Sequence, residues 1–271
     1  GYPGTPQMLQ ARRLGGNGYQ ERVLYGVSDE PGEATRTGHI FSRGREHLRD
    51  HLSAEEPWCL FISTPDPHDP YIAPAEFYEQ YADVEIPRPA SFDDDLAGKP
   101  NVLKRMQGVF DELAWEDFAE AIRCYLATCS MIDAEVGKTL DVLEETGQAE
   151  NTVVVLLSDH GDCLGAHRIL TKGATPYEEV YNVPLIVSAP GKSRDEVCDH
   201  LVSTGDLCPT VLELAGLEPF EHGHFRSLVP LLEDPDRADW VDEAYAEFEG
   251  QRFAFTQRIL WRDHLKYVMN A

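Results

Sequence analysis

Two carboxylates and an imidazole stand directly behind a run of apolar residues. In VVVLLSDHGDCLGAH, residues 153–167, five apolar side chains lead into Ser158, Asp159, His160, Gly161 and Asp162. Adjacent Asp and His offer oxygen and nitrogen donors for a divalent cation, or an acid and a base for proton transfer. Gly161 lets the backbone turn sharply or approach a bound ion. The same residues would also serve as a polar turn capping the next helix; the Asp-His pair after a buried-type strand favours the chemical reading. Lys172, five residues beyond His167, could neutralise an anionic substrate, although taken alone it reads as a solvated surface lysine. His68, in PDPHDPY, also follows an apolar stretch, and prolines on both sides lower the entropy cost of holding its ring in place. It is a candidate for general acid or anion contact.

Elements of a particular kind must position these residues. Parallel strands are buried on both faces and read as unbroken apolar runs, and in open α/β sheets the ligand site lies beyond their carboxyl ends. Strands are expected at 58–63 (WCLFIS), 152–158 and 183–190 (VPLIVSAP). TPDPHDPYIAP cannot be regular structure, because proline removes donors and fixes φ. Residues 1–38 and 84–100 read as loops, and 41–53 as a short helix. From 115 to 146 the spacing of Ile122, Leu126, Cys129, Ile132, Val136, Leu140 and Leu143 predicts a helix stopped by Gly147. GDLCPTVLELAG predicts another, with Asp206 as N-cap, Pro209 in its first turn and Gly216 at its end. The last segment reads as one or two strands with a turn at Arg262 and Asp263. This rhythm predicts an α/β fold with a mostly parallel sheet flanked by helices. We expect one domain over 1–235 and a small β-containing segment over 236–271 packed on it.

TVVVLLSDHGDCLGAHRILTKGATPYEEVYNVPLIVSAPG resembles the central block of the sulfatase family, within the alkaline-phosphatase superfamily. PWCLFISTPDPHDPYIAPAEFYEQY is similar to the family's earlier strand and histidine loop. LVSTGDLCPTVLELAGLEP, FRSLVPLLED and FTQRILWRDHLKYV follow in the family's order, so the resemblance runs from about residue 39 to the end. It implies an alkaline-phosphatase-like fold and hydrolysis of sulfuric esters. In some branches the substrates are sulfamates, phosphodiesters or phosphonate esters. By position Asp159 and His160 match the ligands of a divalent cation, usually calcium. Histidine is an unusual partner for calcium, so magnesium, manganese and zinc stay open. Lys172 matches the sulfate-binding lysine and His68 the histidine near the leaving-group oxygen. His167 belongs to the same substrate-side loop, supporting the residues that touch the sulfate. A sulfuryl group in transfer carries spread negative charge, which cation, lysine and histidine would stabilise.

The family's nucleophile, a Cys or Ser converted to formylglycine, lies in a Cys/Ser-x-Pro-x-Arg motif preceded by an acidic pair, and neither occurs here. We therefore expect both, and a first strand, to precede Gly1, and the chain alone to be inactive. Two alternatives accompany the sulfatase reading. One is a phosphodiesterase or phosphonate monoester hydrolase of the same superfamily. The other is a non-catalytic anion-binding remnant.

The net charge of −25 with only six lysines excludes a general nucleic-acid or anionic-membrane binder. Carboxylates spread along the whole chain suggest a halophilic-type acidic surface. No stretch approaches the roughly 18–20 apolar residues of a membrane span. Six cysteines without a CxxC pair, and no visible signal peptide, point to a reducing, cytoplasmic setting. The expected partner is a small sulfate ester; the alcohol part and the oligomeric state are not legible.

Overall fold

The structure is a computed structural model that describes residues 7–15, 19, 23–50, 56–192, 195–218, 223–250 and 254–271. The chain divides into two compact units, 1–150 with 162–171, and 151–161 with 172–271. The whole of 236–271 falls within the second.

In the first unit, β1 (Met8–Arg13), β2 (Val23–Ser28) and β3 (Tyr71–Pro74) form a sheet in that order, so the YIAP end of the stretch expected to be irregular is corrected to a strand. β1 runs antiparallel and β3 parallel to β2, with Tyr25 opposite Tyr71. β2 is buried along nearly its whole length, and a Cβ on its Gly26 would lie 2.5 Å from the Gln10 carbonyl oxygen. Only glycine permits that approach. Within the loop expected over 1–38, Met8–Arg13 and Val23–Ser28 are therefore corrected to strands, while 1–6, 16–18 and 20–22 lie outside the described residues. The alternation of β1 is broken by register shifts after Met8 and after Arg12, which hides its period of two.

Helices α1 (Arg36–Asp50), α2 (Ala75–Tyr78), α3 (Asn101–Gly108) and α4 (Trp115–Glu145) complete this unit. α1 starts five residues before the expected 41–53, whose last three residues lie outside the described ones. α4 matches its expected span and stops as foreseen: Gly147 has φ +69°, and Gln148 N–H donates to the Leu143 carbonyl at 2.9 Å. This is the left-handed glycine stop. Its buried stripe runs through Phe118, Ala121, Cys124, Ala127, Met131 and Val142, whereas Leu140 is 40% exposed. Glu135, almost wholly buried on this helix, meets Arg45 of α1 at 2.7 Å and Lys138 at 2.6 Å. The expected loop 84–100 is irregular but packed: Phe92 stacks edge-on against Trp115 (5.1 Å) and Phe118 (5.0 Å).

The strand expected at 58–63 does not form a ladder among the described residues, and Phe61 is 88% exposed. An apolar run supplies the composition of a buried strand; a strand also needs a hydrogen-bonded neighbour.

In the second unit, β4 (Val154–Leu157) and β5 (Leu185–Ser188) fall within the expected 152–158 and 183–190. They pair antiparallel, however, and Leu156 and Leu157 are partly exposed. β6 (Glu243–Phe248), β7 (Gln257–Arg262) and β8 (Leu265–Asn270) form an antiparallel meander, with Asp263 at φ +51° in the expected turn. Three short helices join them: α5 (Glu178–Tyr181), α6 (Leu207–Leu214) and α7 (Val229–Glu233). Asp206 stands at the N-cap position of α6 as predicted, without a side-chain cap bond to that helix. Ser203 caps the 3-10 turn that leads into α6, its Oγ accepting from Gly205 N–H, while the Asp206 carboxylate accepts the Ser203 N–H at 2.8 Å. Asp206 is thus also the third residue of a capping box.

The architecture is mixed α/β, as expected, but the mostly parallel sheet is not seen among the described strands. Of their pairings only β2 with β3 is parallel. Apolar periodicity reports burial and carries no information on strand direction. No helix among the described residues is long and apolar enough to cross a membrane.

Candidate active site

Five of the side chains singled out in the sequence fall into two groups, Asp159, His160 and Lys172 in the second unit and His68 and His167 in the first.

The segment leaving β4 is folded by its own polar atoms. Ser158 Oγ donates to the His160 carbonyl at 2.7 Å, and Gly161 N–H donates to the Val180 carbonyl at 2.8 Å. A Cβ at Gly161 would lie 2.0 Å from the Glu179 carbonyl oxygen, so the close approach expected of this glycine is to backbone. His160 Nδ1 is 2.8 Å from the Gly161 carbonyl oxygen. A carbonyl only accepts, so Nδ1 carries the proton and neutral His160 keeps its lone pair on Nε2. That is the form in which histidine ligates a metal, its other nitrogen tied to an acceptor. Nε2 lies 3.7 Å from Asp159 Oδ1, and the Asp159 side chain is 89% exposed. An oxygen and an oriented nitrogen thus stand side by side. Among the described residues, no group of three or more His, Cys, Asp or Glu side chains converges as a cation shell would require.

Asp162 has a different task from its neighbours. Its carboxylate is buried and accepts from Tyr71 Oη at 2.7 Å, Thr171 N–H at 2.9 Å and Leu164 N–H at 3.0 Å. Burial raises its pKa above the ordinary carboxylate range, opposed by these donors. Asp162 therefore pins both ends of the loop 162–171 to β3. Within the loop, Cys163 N–H donates to Thr171 carbonyl and Gly165 N–H to Ile169 carbonyl, each at 2.9 Å. His167, Arg168 and Thr171 all have positive φ, a conformation that side chains disfavour and that dense tethering maintains.

His167 sits at the tip of this loop, held from three sides. Its Nδ1 meets Asp94 Oδ2 at 2.8 Å, its N–H donates to Ser91 Oγ, and its carbonyl accepts from Gln107 Nε2 at 2.9 Å. The Leu96 N–H first, and His167 second, hold the Asp94 carboxyl below its usual range. Lys172 follows the pinned Thr171 directly and is half-buried.

His68 closes a turn in which its N–H donates to the Pro65 carbonyl at 3.0 Å, between the two prolines Pro67 and Pro70. Its Nδ1 lies 2.7 Å from the Asp69 carbonyl oxygen and 2.9 Å from Asp69 Oδ1. Tyr19 Oη donates to the other carboxylate oxygen of Asp69 at 2.9 Å. Asp66, whose pKa burial raises, accepts from Thr37 Oγ1 and anchors the turn to α1.

Sequence reasoning missed the partners: Asp69 and Tyr19 at His68, Asp94, Ser91 and Gln107 at His167, Tyr71 at Asp162. Only Asp69 left a signal, its adjacency to His68. The others join residues far apart in the chain.

Residues 18–217 match the family model Sulfatase, and the chain belongs to the sulfatase family. It is 34% identical over 179 residues to the uncharacterized sulfatase YidJ of Escherichia coli (strain K12), across 66% of this chain and 36% of that protein. The chain spans about a third of the length of the curated relatives it matches. Two solved structures share its fold. One, a protein in complex with its substrate D-glucosamine-2-N,6-O-disulfate, superposes with TM-score 0.73 at 18% identity, covering 91% of this chain and 64% of the other. The other, phosphonate monoester hydrolase of Agrobacterium radiobacter, gives 0.79 at 22% identity, covering 90% and 54%. The fold is thus alkaline-phosphatase-like.

Proposed function

We propose that the whole protein to which this chain belongs is a sulfuric-ester hydrolase. The carrying observation is the family match over 18–217, within which every residue singled out above lies. The Asp159 carboxylate and the Nε2 of His160 fit a divalent cation, and calcium is the ion we assign from the family resemblance. Bound there, such an ion would draw charge from the sulfate oxygens and make sulfur a better electrophile. Lys172, directly behind the pinned loop, neutralises the remaining sulfate charge. His167 and its tether to Asp94 keep that loop in one conformation. His68 donates a proton to the departing alkoxide oxygen from Nε2, since Nδ1 is engaged by Asp69. The nucleophile is a formylglycine in a Cys/Ser-x-Pro-x-Arg motif, which these 271 residues do not contain.

The test is a panel of matched sulfate, phosphate and phosphonate monoesters with the whole protein. Turnover of the sulfate ester at least tenfold above the others supports the reading. A preference for the phosphonate would make the enzyme a phosphonate hydrolase that shares the fold.

A further inference from the structure

The Asp69 carboxylate spans two partners with its two oxygens. Oδ1 is 2.9 Å from His68 Nδ1 and Oδ2 accepts from Tyr19 Oη at 2.9 Å. Both groups near His68 Nδ1, this carboxylate and the Asp69 carbonyl at 2.7 Å, are acceptors. A nitrogen facing two acceptors must carry hydrogen. The ring is thereby fixed with its reactive face at Nε2, and that nitrogen holds the second proton when the imidazole is charged. The Asp69 side chain is 11% exposed and that of His68 40%, so a largely buried carboxylate stands behind a solvent-facing imidazole. Tyr19 leaves Asp69 one orientation, and its own ring rests on Phe110 with centroids 6.3 Å apart.

We infer that Asp69 is a positioning residue for leaving-group protonation. Held by Tyr19 Oη, its carboxylate reinforces the Nδ1–H form that its own backbone carbonyl already favours, and holds the ring while Nε2–H is delivered to the departing oxygen. The proton moves from Nε2 to the alkoxide as the S–O bond breaks, leaving neutral His68 with its lone pair on Nε2. Asp66 also faces His68 through its charge, with Arg36 acting on the same carboxylate. Asp66 is engaged by Thr37, and Tyr71 and Asp162 bond each other. The inference rests on the sulfatase reading for the reaction and on geometry alone for the tautomer.

The experiment compares whole wild-type protein with Asp69→Asn, Asp69→Ala and Tyr19→Phe. Asparagine keeps the shape and can turn its amide nitrogen toward Nδ1, opposing the Nδ1–H form that the backbone carbonyl favours. For sulfate esters of poorly acidic alcohols, Asp69→Asn is expected to lower kcat by roughly 10–100-fold with KM little changed. Esters with good leaving groups, which need no proton, should lose under about threefold. Tyr19→Phe should show the same pattern more weakly. Nitrogen NMR of ring-labelled protein, with the His68 signal assigned by its loss in His68→Gln, should show Nδ1–H in wild type and a shift toward Nε2–H in Asp69→Asn. Equal losses across leaving groups in a folded Asp69→Asn protein, or an unchanged His68 tautomer, overturn the inference. Wild-type protein that cleaves no sulfate ester overturns the functional reading, and the NMR comparison then still decides the role of Asp69.

Discussion

At the scale of single residues, His160 and His68 both turn Nδ1 to an acceptor, which places a ring hydrogen there in each. Asp159 is almost wholly exposed, whereas Asp162, three residues on, is buried and spent on the backbone. That division was not legible in SDHGD, where both carboxylates look alike. It is set by Tyr71 and the Thr171 N–H, which the fold alone brings to Asp162. Lys172→Ala should lower kcat/KM for sulfate esters by about 100-fold or more while leaving Tm within about 2 °C. Parallel loss of activity and stability would make it a structural lysine. His68→Ala should reduce kcat most for poor leaving groups, and a rate series against leaving-group acidity checks this through its slope.

At the scale of elements, the loop 162–171 is held by few, identifiable bonds. Tyr71→Phe removes a donor from a buried carboxylate and should cost about 1–3 kcal/mol, read by denaturant unfolding, with hydrogen exchange rising first in 162–171. Gly161→Ala forces a methyl against the Glu179 carbonyl and should cost about 1–3 kcal/mol. Unchanged stability in Gly161→Ala would mean that this close approach is absent. The Asp94 tie has a pH signature. Its carboxyl is held below the usual range, so its contribution is present above about pH 4 and is lost as pH falls through the lowered value. Helix α4 was legible because 31 residues of periodic pattern and a glycine stop repeat one message many times. The strands β1 and β2 were not, because bulges break one and burial on both faces removes the alternation of the other.

At the scale of the whole molecule, the α/β class followed from the succession of apolar runs and helices, and the family from motifs in order. Strand direction was not accessible, since it depends on which segments meet. The net charge of −25 comes from carboxylates spread along the whole sequence. Self-repulsion among so many carboxylates is screened by salt, so raising sodium chloride from about 0.05 M to 2 M should raise Tm by roughly 5 °C. A flat or falling Tm would argue against a salt-adapted surface.

The most direct test of the central claim joins cation, residue and substrate in one assay: sulfate-ester hydrolysis by the whole protein after chelation, with calcium then restored, in wild type and Asp159→Ala. Wild type is expected to lose activity on chelation and regain it with calcium, while Asp159→Ala stays inactive throughout with unchanged folding. Full activity in the chelated wild type, or in Asp159→Ala, would contradict the assignment of Asp159 and His160 as cation ligands of a sulfuric-ester hydrolase.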